Sequence, residues 1–107
     1  MRSWPYPRLF AHRGGGSLAP ENTVGAIRLG QSLGFRAHEI DVKLSNDGVA
    51  LLLHDETLSR TTNGKGRVAD LPWSALRVLD AGGWHSIEFR GEPVPSFEEV
   101  AKQLQSR

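Results

Sequence analysis

LFAHRGGGSLAPENTVGAIRLGQSLG, residues 9–34, passes from a short apolar run through a glycine-rich break into a helical pattern. Leu9 to Ala11 reads as a short buried strand, with His12 where that strand ends. Gly14 to Gly16 must be loop. Pro20, Glu21, Asn22 and Thr23 look like a helix entrance, with proline tolerated early and a capping side chain at hand. Ala26, Ile27, Gly30 and Leu33 recur at helical spacing, and Gly34 suits the C-terminal cap. Strand, loop and helix in that order open an α/β chain.

The next stretch, AHEIDVKL at 37–44, alternates strictly. The alternation puts Glu39, Asp41 and Lys43 on one face and Ile40, Val42 and Leu44 on the other. SNDG at 45–48 signals a tight turn, and VALLLHD at 49–55 is a continuous apolar run of strand length. Residues 56–70 are polar and rich in Thr, Gly and Arg, and read as loop. Leu71 to Leu79 suits a short helix, and residues 80–95 are irregular. Ser96 and Glu99 form a capping-box pair, followed by Phe97, Val100, Ala101 and Leu104 at helical spacing. Strand, helix, strand, strand, helix is an α/β order without internal repeat.

The 107 residues suffice for one modest domain burying roughly 65% of its unfolded surface. A net charge of +1 gives no reason to expect nucleic acid or an anionic membrane as partner. The absence of cysteine excludes disulfides and thiolate metal sites. MRSWPYPRLF at the start lacks the apolar core of a signal peptide, and no run reaches the length of a membrane span. These features lead to the expectation of a soluble, cytoplasmic domain.

The chemistry-bearing residues sit at predicted strand ends, where α/β proteins assemble active sites. A two-residue turn at SNDG would set Asp41 across from His54, and a four-residue turn would set Glu39 there. In both cases Glu39, Asp41 and His54 project from one face. Two carboxylates two residues apart can chelate a hard divalent cation, with water completing the sphere. An isolated alternation of this kind more often marks a solvated face, but His54 and Asp55 beside it favour chemistry. Arg13 offers a planar fork suited to phosphate, and the glycines after it let backbone N–H groups approach an anion. HEIDV at 38–42 is not a zinc-protease motif, because Val42 stands where a second histidine is required. NGKGR at 63–67 lacks the spacing of a phosphate-binding P-loop and reads as a solvated basic loop. Trp73 and Trp84 read as packing residues of a small subdomain, with lining of a substrate mouth as the alternative for either, His38 as a packed strand residue, and His85 has no evident partner.

Together, AHRGG, PENT, EIDVKLSNDG, LLLHDETLSRTTNGKG, LDAGGW and GEPVPSFEEV resemble the glycerophosphodiester phosphodiesterase family. They occur in family order and spacing over nearly the whole chain, most like the small cytosolic bacterial members. The resemblance implies the N-terminal portion of a TIM-type (β/α) barrel, of the phospholipase-C-like phosphodiesterase type. That barrel is incomplete here, since eight strands are required and the chain supplies about three. Residues 1–107 would be a partial domain, with 56–95 as a small insertion. The implied reaction is metal-dependent hydrolysis of glycerophosphodiesters to glycerol 3-phosphate and an alcohol. His12 and His54 would be the acid–base pair, and Glu39 and Asp41 the ligands of a divalent metal, Mg²⁺ or Ca²⁺. Arg13 would hold the substrate phosphate, with Glu21, Asn22 and Asp55 supporting. The family's third metal carboxylate would fall beyond Arg107. An open barrel with unpaired edges favours self-association, and a non-catalytic fragment that binds metal or phosphate weakly, or assembles with a partner chain, is the alternative.

Overall fold

A computed structural model describes residues 10–13 and 17–105, and only the backbone of residues 10–12. Leu9, Gly14–Gly16 and the side chain of His12 therefore lie outside the described residues. The elements run β1 (Phe10–His12), α1 (Val24–Ser32), β2 (Ala37–Glu39), β3 (Val42–Leu44), β4 (Ala50–Leu52), α2 (Trp73–Leu76) and α3 (Phe97–Gln105). Short 3₁₀ turns occupy Val68–Asp70 and Ile87–Phe89. No helix among the described residues is long and apolar enough to cross a membrane.

β1, α1 and β2 form a βαβ unit. β1 pairs parallel with β2, and His12 lies opposite Glu39 in register. The Thr23 hydroxyl caps α1 by accepting from the Ala26 N–H at 3.1 Å. At the other end Gly34 has φ +91°, the left-handed geometry that stops a helix. α3 starts on the expected capping box: Ser96 N–H donates to Glu99 Oε1 at 3.2 Å, and Glu99 N–H donates to Ser96 Oγ at 3.1 Å. α3 packs on α1, and Gln31 and Gln103 bond reciprocally between them.

The alternating stretch 37–44 departs from its pattern. It is not one strand but two, broken at Ile40–Asp41, and the halves join different sheets. β3 turns back as a hairpin with β4, pairing Val42 with Leu52, Lys43 with Leu51 and Leu44 with Ala50. The loop holds three residues rather than two or four, because Ser45 N–H donates to the Val49 carbonyl. Gly48, at φ +83°, supplies the left-handed residue that such a loop needs. That one-residue difference reverses the expected parity, so the hairpin does not carry Asp41 and His54 on a common face. The apolar face is also only partly buried. Ile40 packs inward, whereas Val42 is 46% and Leu44 59% exposed.

β4 is the wall between two apolar clusters, which explains its uninterrupted hydrophobicity. Leu52 faces Ile27 of α1 and Val100 of α3. Leu51 and Leu53 face the other way, onto Leu58, Val68, Leu76, Ala81 and Val94. Residues 56–95 thus wrap their own core against the back of β4. The helix expected over 71–79 is confined to Trp73–Leu76. Trp73 packs against this core, Trp84 is 42% exposed, and Lys65 and Arg67 are exposed as a solvated loop requires.

Candidate functional site

Three segments meet at the ends of β1, β2 and β4. Asn22 joins the first two. It is only 3% exposed and holds φ +57°, a left-handed geometry that asparagine tolerates better than most residues. Its N–H donates to the Arg13 carbonyl at 2.7 Å. Its Nδ2 donates to Asp41 Oδ2 at 3.0 Å, while its Oδ1 accepts from the Asp41 N–H at 3.0 Å. Backbone and carboxylate of Asp41 are thereby fixed by one side chain.

Arg13, also left-handed at φ 53°, reaches the same carboxylate, with Nε 3.7 Å from Asp41 Oδ2. Its Nη1 donates to Glu21 Oε2 at 3.0 Å. Glu21 in turn accepts from Arg60, at 3.1 Å from Nη1 and 3.0 Å from Nη2. Arg60 also grips Asp55, with Nε to Oδ2 at 2.8 Å and Nη2 to Oδ1 at 2.9 Å. Asp55 Oδ1 meets His54 Nδ1 at 2.9 Å. The Arg60 hydrogen bonds, reinforced by the one from His54, hold the Asp55 carboxyl well below the ordinary carboxylate range. The same bonds push the Arg60 guanidinium further up.

Among the expected residues, Arg13, Glu21, Asn22 and Asp41 form one contact network, and Arg60 joins His54 and Asp55 to it. Glu39 stands two residues before Asp41 at the exposed end of β2, paired in register with the His12 backbone. Ile40 between them packs into the core. Sequence reasoning missed Arg60. The only available signal was its place in the LSRTTNGKG part of the family-like motif. His85 likewise gains a partner, its Nε2 lying 2.9 Å from the Ser17 carbonyl at the far side of the glycine segment.

The acidic pair suits a particular kind of ion. Among the described residues no group of three or more His, Cys, Asp or Glu is arranged to hold a metal. Two carboxylates with oxygen donors fit a hard divalent cation that takes its remaining ligands from water and substrate oxygens. The contacts from Asn22 Nδ2 and Arg13 both fall on Asp41 Oδ2, which leaves Oδ1 available among the described residues.

Residues 12–107 match the Glycerophosphoryl diester phosphodiesterase family. The chain is 42% identical over 92 residues to a glycerophosphodiester phosphodiesterase of Caldanaerobacter subterraneus, covering 86% of this chain and 38% of the relative. It superposes with TM-score 0.87 on a glycerophosphodiester phosphodiesterase of Agrobacterium tumefaciens, at 44% identity over 90% of this chain and 42% of the other. An Oleispira antarctica phosphodiesterase, solved with the product sn-glycerol-3-phosphate, aligns at TM-score 0.90 and 40% identity, covering 92% of this chain and 40% of that one. The chain thus spans about two fifths of the length of these relatives. It corresponds to part of their TIM barrel.

Proposed function

We propose, since the chain belongs to the glycerophosphoryl diester phosphodiesterase family, that it carries the N-terminal half-site for hydrolysing glycerophosphodiesters. Products would be glycerol 3-phosphate and an alcohol. The observation that carries this reading is the unbroken chain of contacts from Asp41 through Asn22, Arg13, Glu21, Arg60 and Asp55 to His54. It gathers an acidic residue, a guanidinium and an imidazole from segments far apart in sequence.

A phosphodiester anion repels nucleophiles, so its non-bridging oxygens need positive charge beside them. Arg13 supplies a guanidinium for one of them. Glu39 and Asp41 would hold a divalent cation, which when bound neutralises further charge there. His12 and His54 act as the acid–base pair: one takes the proton of the attacking oxygen, from water or from the glycerol 2-hydroxyl, and the other protonates the departing alkoxide. Attack by the 2-hydroxyl gives a cyclic phosphate that water then opens to glycerol 3-phosphate. Imidazole serves both roles because its ordinary pKa, about 6.5, lies near neutrality. Asn22, Glu21 and Asp55 position these groups. Residues 56–95 form a small insertion within the partial domain 1–107, a reading supported by their separate apolar cluster.

A second reading, weak binding of metal or phosphate without turnover, is favoured by the lack of a third clustered ligand among the described residues. Incubating the purified chain with glycerophosphocholine and Mg²⁺ separates the two. Release of glycerol 3-phosphate that falls about 10²- to 10⁴-fold in His12→Ala and in His54→Ala supports catalysis. No release, with retained Mg²⁺ binding, supports the second reading.

A further inference from the structure

We propose that Arg60 is the positioning residue for His54: it clamps the Asp55 carboxylate against Nδ1 of the imidazole and leaves Nε2 as the proton-exchanging atom. The inference deepens the proposed function, on which the importance of Nε2 rests.

Arg60 comes from a polar loop, yet its guanidinium makes four hydrogen bonds to two carboxylates. Nε and one Nη2 proton form a side-on fork with Asp55. Nη1 and the other Nη2 proton form an end-on fork with Glu21. A lysine has three donors diverging from one point and cannot span both carboxylates in this way. The Glu21 side chain is only 12% exposed and Asp55 24%, so both carboxylates are partly withdrawn from water. The geometry makes Glu21 the anchor and Asp55 the clamped group.

The consequence for the imidazole follows from hydrogen-bond chemistry. An ionised carboxylate only accepts, so His54 Nδ1 must donate to Asp55. In the neutral ring the proton then resides on Nδ1, and Nε2 presents a lone pair. A free imidazole prefers the opposite tautomer, with the proton on Nε2, so holding Nδ1–H requires the carboxylate to stay charged and aimed. Arg60 does both. The depressed Asp55 titration agrees with this arrangement. The charged groups facing the cluster are Arg60 on Asp55, Glu21 on Arg60 and Arg13 on Glu21. Lys43 Nζ donates to the His54 carbonyl at 2.8 Å, fixing the backbone rather than the ring.

The test reads the ring directly and needs no turnover, so its failure is distinguishable from failure of the proposed reaction. The ¹⁵N chemical shifts of the His54 ring are recorded in the labelled 107-residue chain above its titration, without substrate. The wild type is expected to show protonated Nδ1 and bare Nε2, with Asp55 still ionised below the ordinary carboxylate range. Arg60→Met is expected to shift the ring to the Nε2–H form and return the Asp55 titration to about 4. Arg60→Lys, which keeps the charge but not the fork, is expected to lie between. A wild-type ring in the Nε2–H form overturns the proposal without any variant, should Arg60→Met fail to fold. So does an Arg60→Met or Arg60→Lys chain whose ring is indistinguishable from wild type.

Discussion

Replacing Asn22 tests whether the acidic arm of the site is held by a buried, strained residue. Asn22→Gly keeps the left-handed backbone at no steric cost but removes both side-chain bonds to Asp41. The bond to the carboxylate is of the charged kind, about 1.5–3 kcal/mol, and an Asp41 N–H left without its acceptor costs about 1–3 kcal/mol. The Asp41 side chain is 23% exposed, so water replaces part of what is lost. The expected loss of stability for Asn22→Gly is then about 2–4 kcal/mol. Asn22→Ala adds the left-handed penalty of about 1–2 kcal/mol. Asn22→Asp keeps the acceptor and the backbone tolerance but turns a donor into a second carboxylate facing Asp41. Two touching carboxylates retain a proton in the folded state, raising the folded pKa. Its deficit should therefore be greatest at neutral pH and shrink as pH falls toward 5. Urea unfolding followed by the fluorescence of the three tryptophans measures all three variants. An Asn22→Gly chain within about 0.5 kcal/mol of wild type, the range of an ordinary surface change, would refute the reasoning.

Burial pushes the Glu92 carboxyl up, against the Gly25 N–H and Arg28, which pull it down. The folded chain therefore keeps a proton that the unfolded chain releases, and stability falls as pH rises from the ordinary glutamate range through the raised pKa. Glu92→Gln retains an acceptor for Gly25 and should flatten that slope, which thermal melts between pH 4 and 7 will read; an unchanged slope contradicts the assignment. A Cβ on Gly82 would lie 2.7 Å from the Cβ of Glu92 and would collide outright with the Phe89 carbonyl oxygen. Since one contact is rigid backbone, Gly82→Ala should cost about 1–3 kcal/mol in urea unfolding, and a neutral result would show that the 80–92 turn yields freely.

Local grammar made much of the fold legible. Thr23 as a cap, Gly34 as a stop and the Ser96–Glu99 box act within one helical turn, and each stands where its chemistry predicts. The uninterrupted run at 51–53 marked a strand buried on both sides. What escaped depended on longer-range geometry. Strict alternation from 37 to 44 hid a break, because Ile40 goes to the α1–α3 core while β3 leaves for another sheet. SNDG announced a turn but not its length, and one left-handed glycine displaced the register by one residue. Arg60 was illegible for the same reason: only folding brings a loop arginine between Glu21 and Asp55.

In the proposed function Glu39 and Asp41 hold one divalent cation, with the acid–base histidines His12 and His54 beside it. Mn²⁺, added in substoichiometric amounts to the ¹⁵N-labelled chain, measures this directly through distance-dependent line broadening. Broadening should centre on Glu39 and Asp41 and include the ring signals of both histidines together, and Asp41→Ala should abolish it. Broadening centred elsewhere, or on one histidine without the other, would contradict the account.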